Sequence, residues 1–326
     1  MKISKKTFIG TTLMGLAFVA AISMLALTGG SRSVKAAGYF SGTGLNLPNS
    51  RIYFLTSDNM IYQLVPGTSI YAALGTVRNL NGNLIGIDFR PANGMLYGLT
   101  DTGRLYTIST GAPPSATLVS TLSSPFDAGF QSLFDFNPVQ DAIRISGSNT
   151  QNFAVTKNAN GVLNTTTVQT SLTYAAGDVN AGKTPVVVGG AYNNNVAGAA
   201  TTIFYAIDAA RDTFLTIADK NATGSSNTGG GRLQTIGNLV DSGGNRLNFN
   251  HLSDIDIYTT TGGVNTVIGI NNKTLFTIDM NQINPNLKLG QTQNVVVKSA
   301  TLNAFPDLDS AIDIAVVPAA GQSASR

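Results

Sequence analysis

Ile312-Asp313-Ile314 repeats a pattern that occurs three times earlier in the chain, as Ile87-Asp88-Phe89, Phe134-Asp135-Phe136 and Ile255-Asp256-Ile257. A second pattern, a four-residue strand end, recurs as Ile61-Tyr62-Gln63-Leu64, Leu105-Tyr106-Thr107-Ile108, Phe214-Leu215-Thr216-Ile217 and Leu275-Phe276-Thr277-Ile278. Asn152-Phe153-Ala154-Val155 is a weaker copy, and Gly190-Ala191-Tyr192 stands where a further aspartate tripeptide would fall, without the Asp. The two patterns interleave. Asp88 to Ile108 and Asp135 to Val155 are each 20 residues, Asp256 to Ile278 is 22, and Ala191 to Ile217 is 26. Two halves are left over: Asp313 has no strand end after it, and Ile61 has no aspartate tripeptide before it. Joined, they complete a fifth repeat from the two ends of the chain.

A repeat split in this way is what a closed ring requires. A propeller blade is about four strands in roughly 40–50 residues and cannot bury both of its faces alone. Sharing one blade between the termini closes the ring and removes open sheet edges. The expectation is therefore an all-β, five-bladed β-propeller of about four strands per blade. Its blades fall at 85–122, 132–170, 185–239 and 252–300, with a composite of 310–317 and 51–79. A sixth blade would have to sit in 156–184 or 218–251. A solenoid or twisted sandwich accounts less well for the split repeat. Apolar runs of Ile, Val, Leu, Phe and Tyr between Gly, Asn and Asp are strand-and-turn grammar. Asn93-Gly94 and Gly103 mark hairpin turns, because these residues tolerate positive φ. The Asn/Ser/Gly stretch 221–231 is expected to be a loop.

The first 36 residues read as a targeting segment. Lys2, Lys5 and Lys6 precede an uncharged run, 7–31, of 25 residues, and Val34-Lys35-Ala36 offers a cleavage site before Ala37. The run is also long enough to span a bilayer, so an uncleaved anchor is the alternative. Either way the remainder is expected outside the cytoplasm, in the periplasm, on the cell surface or in the medium. Residues 37–50 then form a linker, 51–318 one propeller domain, and 319–326 a disordered tail. Without its first 36 residues the chain carries 15 basic and 17 acidic residues. A nucleic-acid binder needs a surplus of Lys and Arg, so nucleic acid is not an expected partner. There is no Cys, one His, no Trp and no Glu among the 17 acids. That excludes disulfides, thiolate chemistry and clustered-histidine zinc sites, and it weakens a sugar-stacking lectin.

Asp88, Asp135, Asp256 and Asp313 fall on inner strands, near the axis of the ring, on the face opposite their apolar neighbours. Three readings follow. Converging carboxylates suit Ca²⁺, which takes oxygen ligands, or they share a proton for acid/base work; alternatively each Asp accepts backbone N–H bonds from the next blade, and this structural lock is favoured because it repeats with the blades. Arg90 and Arg144 are candidates for an anionic ligand, or pair with Asp135 or Asp141. Tyr192, Asn194 and Asn195 occupy the blade that lacks the Asp, where broken symmetry can place a ligand. His251 beside Ser253 and Asp254 lacks the convergence that a catalytic triad needs, and reads as a partly buried lone histidine. Asp307-Leu308-Asp309 is a fragment of a calcium loop without its glycine and closing Glu.

The segments 84–91 and 96–108 (LIGIDFRP…LYGLTDTGRLYTI), 134–146 (FDFNPVQDAIRIS), 150–153 and 191–198 (AYNNNVAG) resemble an exported bacterial family, domain of unknown function 4394. The similarity runs over most of 51–317. It implies a propeller-like exported domain and no particular reaction. The expected function is a monomeric, non-enzymatic scaffold or binding module that uses loop faces or the axial channel for a small molecule, a glycan or a surface protein. The alternative is a calcium-dependent hydrolase or lyase using the channel aspartates, with the lack of Glu removing the usual general acid. No membrane partner is expected unless the N-terminal segment stays attached.

Overall fold

The computed structural model describes residues 36–41, 45, 47–64, 67–218, 231–303 and 311–319. Asp307 and Asp309, all of the targeting segment but Ala36, nearly all of the 221–231 stretch and nearly all of the tail lie outside them. The described residues form β-strands in four-stranded antiparallel groups, with a single 3-10 turn at Met280–Gln282. Among them no helix is long and apolar enough to cross a membrane.

Five blades arise from the five repeats. Blade I is β23 (Ala311–Val316), β2 (Ile52–Thr56), β3 (Met60–Leu64) and β4 (Ile70–Thr76), from the inside outward. Blade II is β5 (Leu84–Phe89), β6 (Leu96–Thr100), β7 (Arg104–Ile108) and β8 (Ala116–Thr121). Blade III is β9 (Ser132–Asn137), β10 (Ala142–Gly147), β11 (Asn152–Lys157) and β12 (Leu163–Val168). Blade IV is β14 (Val187–Tyr192), β15 (Phe204–Asp208), β16 (Thr213–Ile217) and β17 (Arg232–Val240), with the short β13 (Thr173–Tyr174) pairing parallel to β17. Blade V is β18 (Asp254–Thr259), β19 (Asn265–Asn271), β20 (Thr274–Asp279) and β22 (Lys298–Asn303). The two stretches considered for a sixth blade, 156–184 and 218–251, instead supply outer strands of blades III and IV.

The split repeat closes as its halves require. β23 pairs antiparallel with β2, aligning Phe54 with Ile314 and Ile52 with Val316. Ser50 Oγ donates to the Val317 carbonyl at 2.7 Å, and the Val317 N–H to the Arg51 carbonyl at 2.9 Å. A second seam lies further out. Within the stretch assigned to a linker, β1 (Ala36–Ser41) runs between β4 of blade I and β22 of blade V, antiparallel to both. The outer edges of the first and last blades are thereby joined into one nine-stranded sheet.

Strand alternation explains how a blade packs on two neighbours. On β2, Ile52 and Phe54 join Ile268, Ile270 and Leu275 of blade V, whereas Tyr53 and Leu55 join Leu84, Ile87 and Phe89 of blade II. Ile85, Tyr97 and Leu99 pack with Phe134, Phe136 and Ile143 between blades II and III. Leu133 packs against Val187, Tyr192 and Phe204 between III and IV. Val188, Tyr205 and Phe214 meet Ile255, Ile257 and Phe276 between IV and V. The inner strands touch in the cyclic order β23, β5, β9, β14, β18 and back to β23. Each blade therefore has no free apolar face, which is why inner and second strands read as unbroken apolar runs. Turn chemistry follows the residues: Gly94 and Gly103 adopt φ of 67° and 73°, and the Gly103 N–H closes its turn on the Thr100 carbonyl at 2.9 Å.

A chain ending at Asp309 lacks β23 and leaves blade I three-stranded, with open faces toward blades II and V. Its thermal unfolding, followed by circular dichroism, should lose the single cooperative transition of the full chain; a sharp transition at the same temperature would contradict closure through β23.

Candidate functional site: the axial carboxyls and the cleft between blades IV and V

The inner-strand aspartates lock neighbouring blades. Asp88 Oδ2 accepts the Phe136 N–H of blade III at 2.8 Å, and its Oδ1 the Phe89 N–H at 2.6 Å. Asp135 Oδ1 accepts the Tyr192 N–H of blade IV at 2.9 Å. Asp256 Oδ2 accepts the Val316 N–H of blade I at 2.6 Å, and Oδ1 the Ile257 N–H at 2.5 Å. Asp254, a fifth axial carboxyl that the tripeptide pattern does not mark, accepts the Ile314 N–H at 3.2 Å. Asp313 faces the Ile87 N–H of blade II, without a hydrogen bond of ordinary geometry. Between blades IV and V, where the Asp is replaced, the contact runs backward: Asp254 turns toward the Gly190 N–H. A Cβ on Gly189 would lie 2.6 Å from the Asp254 Cα, so only glycine lets the two strands approach so closely.

These carboxyls occupy two tiers along the axis. Asp88, Asp135 and Asp256 form one tier, with one oxygen of each within 4.8 Å of the others. Asp254 and Asp313 lie two positions away along their strands, as their partners Ile314 and Ile87 show. All five are 1–3 % exposed. Burial, and then the neighbouring carboxyls, pushes Asp88, Asp135 and Asp313 well above the ordinary carboxylate range. Burial raises Asp254 strongly as well, against the hydrogen bonds it accepts. Asp256, with two strong backbone donors offsetting its burial, is raised to about 6. An ionised axis thus opposes folding unless protons or a cation neutralise it.

The arginines have structural partners. Arg90 binds Asp141 of blade III through Nε and Nη2 at 2.6 and 2.5 Å, and Lys157 adds a third contact at 2.6 Å. Arg144 stands directly across from Asp135 in the β9–β10 register, yet makes no ion pair. Its Nε donates to Tyr192 Oη at 2.8 Å and Nη1 to Asn152 Oδ1 at 2.7 Å, while the guanidinium lies over Phe204. Tyr192 is buried in that contact. Asn194, at φ 53°, and Asn195 clamp blade IV to blade V. The Asn194 N–H donates to Asn265 Oδ1 at 2.9 Å, and the Asn195 N–H to Thr259 Oγ1 at 2.8 Å. His251 is an exposed turn residue rather than a partly buried one, because it precedes β18 at the rim of the ring.

A cleft of about 270 Å³ opens between blades IV and V. Its walls carry Asn193, Tyr205, Gln234 and Asn265 from strands and turns, and Met280, Asn281, Ile283, Asn284 and Leu287 from the long connection between β20 and β22. No lining residue is charged. That connection leaves blade V and crosses to blade IV, where β21 (Val295–Val296) pairs parallel with β17. The Gln293 N–H donates to the Ile236 carbonyl at 2.9 Å. A Cβ on Gly237 would fall 1.5 Å from the Gln293 carbonyl oxygen, so this glycine admits the crossing. Sequence reasoning located the neighbouring Tyr192, Asn194 and Asn195 but missed the strap; the one available signal was the unusual spacing between the fourth strand end and the end of its repeat. A larger groove of about 740 Å³ contains Lys183, Arg211 and Arg246. Those cations are engaged by Asn180, Asp208 and the Arg211 carbonyl, respectively.

Two measurements check these arrangements. Gly237→Ala should lower stability by about 1–3 kcal/mol through overpacking and release 280–294 to limited proteolysis, with denaturant melts and peptide mapping as readouts. Burial works to raise Asp141, but the hydrogen bonds and charges of Arg90 and Lys157 outweigh it and hold its pKa below the ordinary value. A depressed folded-state pKa stabilises above the unfolded value, near ~3.9, and the contribution is lost as pH falls through the folded one. Asp141→Asn should therefore flatten the loss of melting temperature between about pH 5 and about pH 3 relative to the parent.

Several solved structures match the chain at low identity. A protein of unknown function from Bacteroides thetaiotaomicron matches at 8 % identity and a TM-score of 0.42, over 82 % of this chain and 70 % of that one. The major Malassezia sympodialis allergen Mala s 1 matches at 9 % identity and a TM-score of 0.41, over 78 % of each chain. A protein of unknown function from Bacteroides caccae matches at 9 % identity and a TM-score of 0.37, over 83 % of this chain and 99 % of that one. No curated protein matches the chain. The profile of the domain of unknown function DUF4394 matches residues 68–297, from β4 of blade I through the strap of blade V and most of the sequence. This five-bladed propeller belongs to the DUF4394 family.

Proposed function

We propose that the protein is an exported, non-enzymatic binding module that takes a small uncharged ligand, rich in hydrogen-bonding groups, into the cleft between blades IV and V. The observation that carries this reading is the cleft's chemistry: five amide side chains and a tyrosine around an apolar floor, with no charged residue. Ligand pockets combine apolar walls with a few placed polar groups that fix orientation, and neutral amides bind hydroxyls and amides without a desolvated charge. Position supports it too, since the cleft lies beside the blade whose inner strand lacks the aspartate. Export rests on the composition of the first 36 residues. Hydrolysis at the axis is disfavoured, because every axial aspartate is at least 97 % buried and out of a substrate's reach.

Isothermal calorimetry against neutral oligosaccharides and short uncharged peptides, each beside a charged analogue, tests the reading. A neutral compound should bind, and Asn281→Ala should weaken it roughly five- to tenfold, the worth of about one hydrogen bond. The proposal fails if only charged compounds bind, or if Asn281→Ala and Met280→Ala leave a neutral ligand's affinity unchanged.

A further inference from the structure

Five carboxyls are buried at the axis with no basic side chain to answer them. Arg144 is the only buried basic residue among those described, and it is committed to Tyr192 and Asn152. We propose that the axial tier formed by Asp88, Asp135 and Asp256 binds a single calcium ion, holding three blades to one centre.

The geometry is that of a shared hard cation. Oxygens of three blades approach within 4.8 Å of one another. Calcium takes oxygen ligands in a large, flexible coordination set, whereas magnesium demands near-ideal octahedral geometry and gives up its waters reluctantly, so three fixed carboxylates favour calcium. The backbone locks do not exhaust these ligands. Each carboxylate oxygen has two lone pairs, and the bonds from Phe136, Tyr192 and Val316 use one apiece.

A second observation is independent of that tier. Asp313, 1 % exposed, has no hydrogen-bond partner on either oxygen, and Asp254 has none on Oδ1. The Asp313 Oδ2 lies 3.1 Å from where a Cβ on Gly86 would stand, two residues before Asp88. Its charge is felt at both Asp88 and Asp256. Buried carboxyls without a partner are costly, and a divalent ion one tier away supplies the missing positive charge. The ion also gives a reason for an aspartate on three of the inner strands, where a neutral acceptor such as Asn would serve the backbone lock.

The test uses the purified protein stripped with EDTA and titrated with CaCl₂ or MgCl₂ at matched ionic strength. Calorimetry should show about one calcium per chain, with a melting temperature raised by roughly 5–10 °C at concentrations about 100-fold above the Kd, and a smaller effect of magnesium. Asp135→Asn retains an oxygen for the Tyr192 N–H and should lower calcium affinity at least about tenfold. Elemental analysis of the unaltered protein keeps the question decidable if that variant does not fold. Calcium retained through EDTA at about one per chain supports the proposal. The proposal is overturned by equal melting temperatures in EDTA and calcium, with no bound metal and infrared bands of protonated carboxyls at neutral pH, which would mean that protons neutralise the axis.

Discussion

The structure depends on a carboxylate from one inner strand reaching the backbone N–H of the next. Inner strands in a ring lie beside one another without forming a shared sheet, so their inward N–H groups need acceptors from somewhere else. Asp88 and Asp135 supply them forward to blades III and IV, and Asp256 and Asp254 supply them to blade I. Every such bond crosses a blade boundary, so it fixes the register of one repeat against the next as well as satisfying a donor. The same device draws five acids into one buried channel, and the requirement for a neutralising charge follows from the lock itself.

Around that axis the hydrophobic effect acts between blades. Alternate residues of one strand belong to different cores: Phe54 packs toward blade V and Leu55 toward blade II. No blade can bury both faces alone, so stability is a property of the closed ring. The closing seam is correspondingly reinforced, by β23 at the centre and by β1 between the outermost strands of blades I and V. An open repeat stack would instead need polar caps on its end units.

Departure from the repeat is concentrated at blades IV and V. Ala191 stands where other inner strands carry the Asp, Gly190 replaces the apolar residue before it, and Asp254 packs close against Gly189. The strap after β20 then leaves its own blade, pairs with β17 and builds one wall of the uncharged cleft. The regular interfaces are filled by their own locks and aromatic pairs, such as Tyr97 with Phe136. The irregular interface has room for something else.

Much of the fold was legible in the order of residues, because repeat spacing is a one-dimensional quantity. The orphan tripeptide at Asp313 and the orphan strand end at Ile61 implied closure, and strand alternation placed four axial aspartates on a common face. Asp254 was legible only as a neighbour of His251 and Ser253, because nothing in its local sequence distinguishes an acid at the mouth of a strand from one in a turn. The roles of Arg90 and Arg144 were undetermined for a similar reason: a guanidinium's partner lies tens of residues away, and only packing decides between Asp141 and a stack on Phe204. The cleft was hidden because its walls come from separate segments, 193–205, 234–236, 263–265 and 280–287. By itself the sequence determined the strands, the number of blades and the sharing of one blade between the ends, all consequences of periodicity and polarity along the chain. Only the tertiary structure decided which carboxyls converge, which cations are spent and where a cavity remains, because those depend on distances between atoms that the chain brings together across blade boundaries.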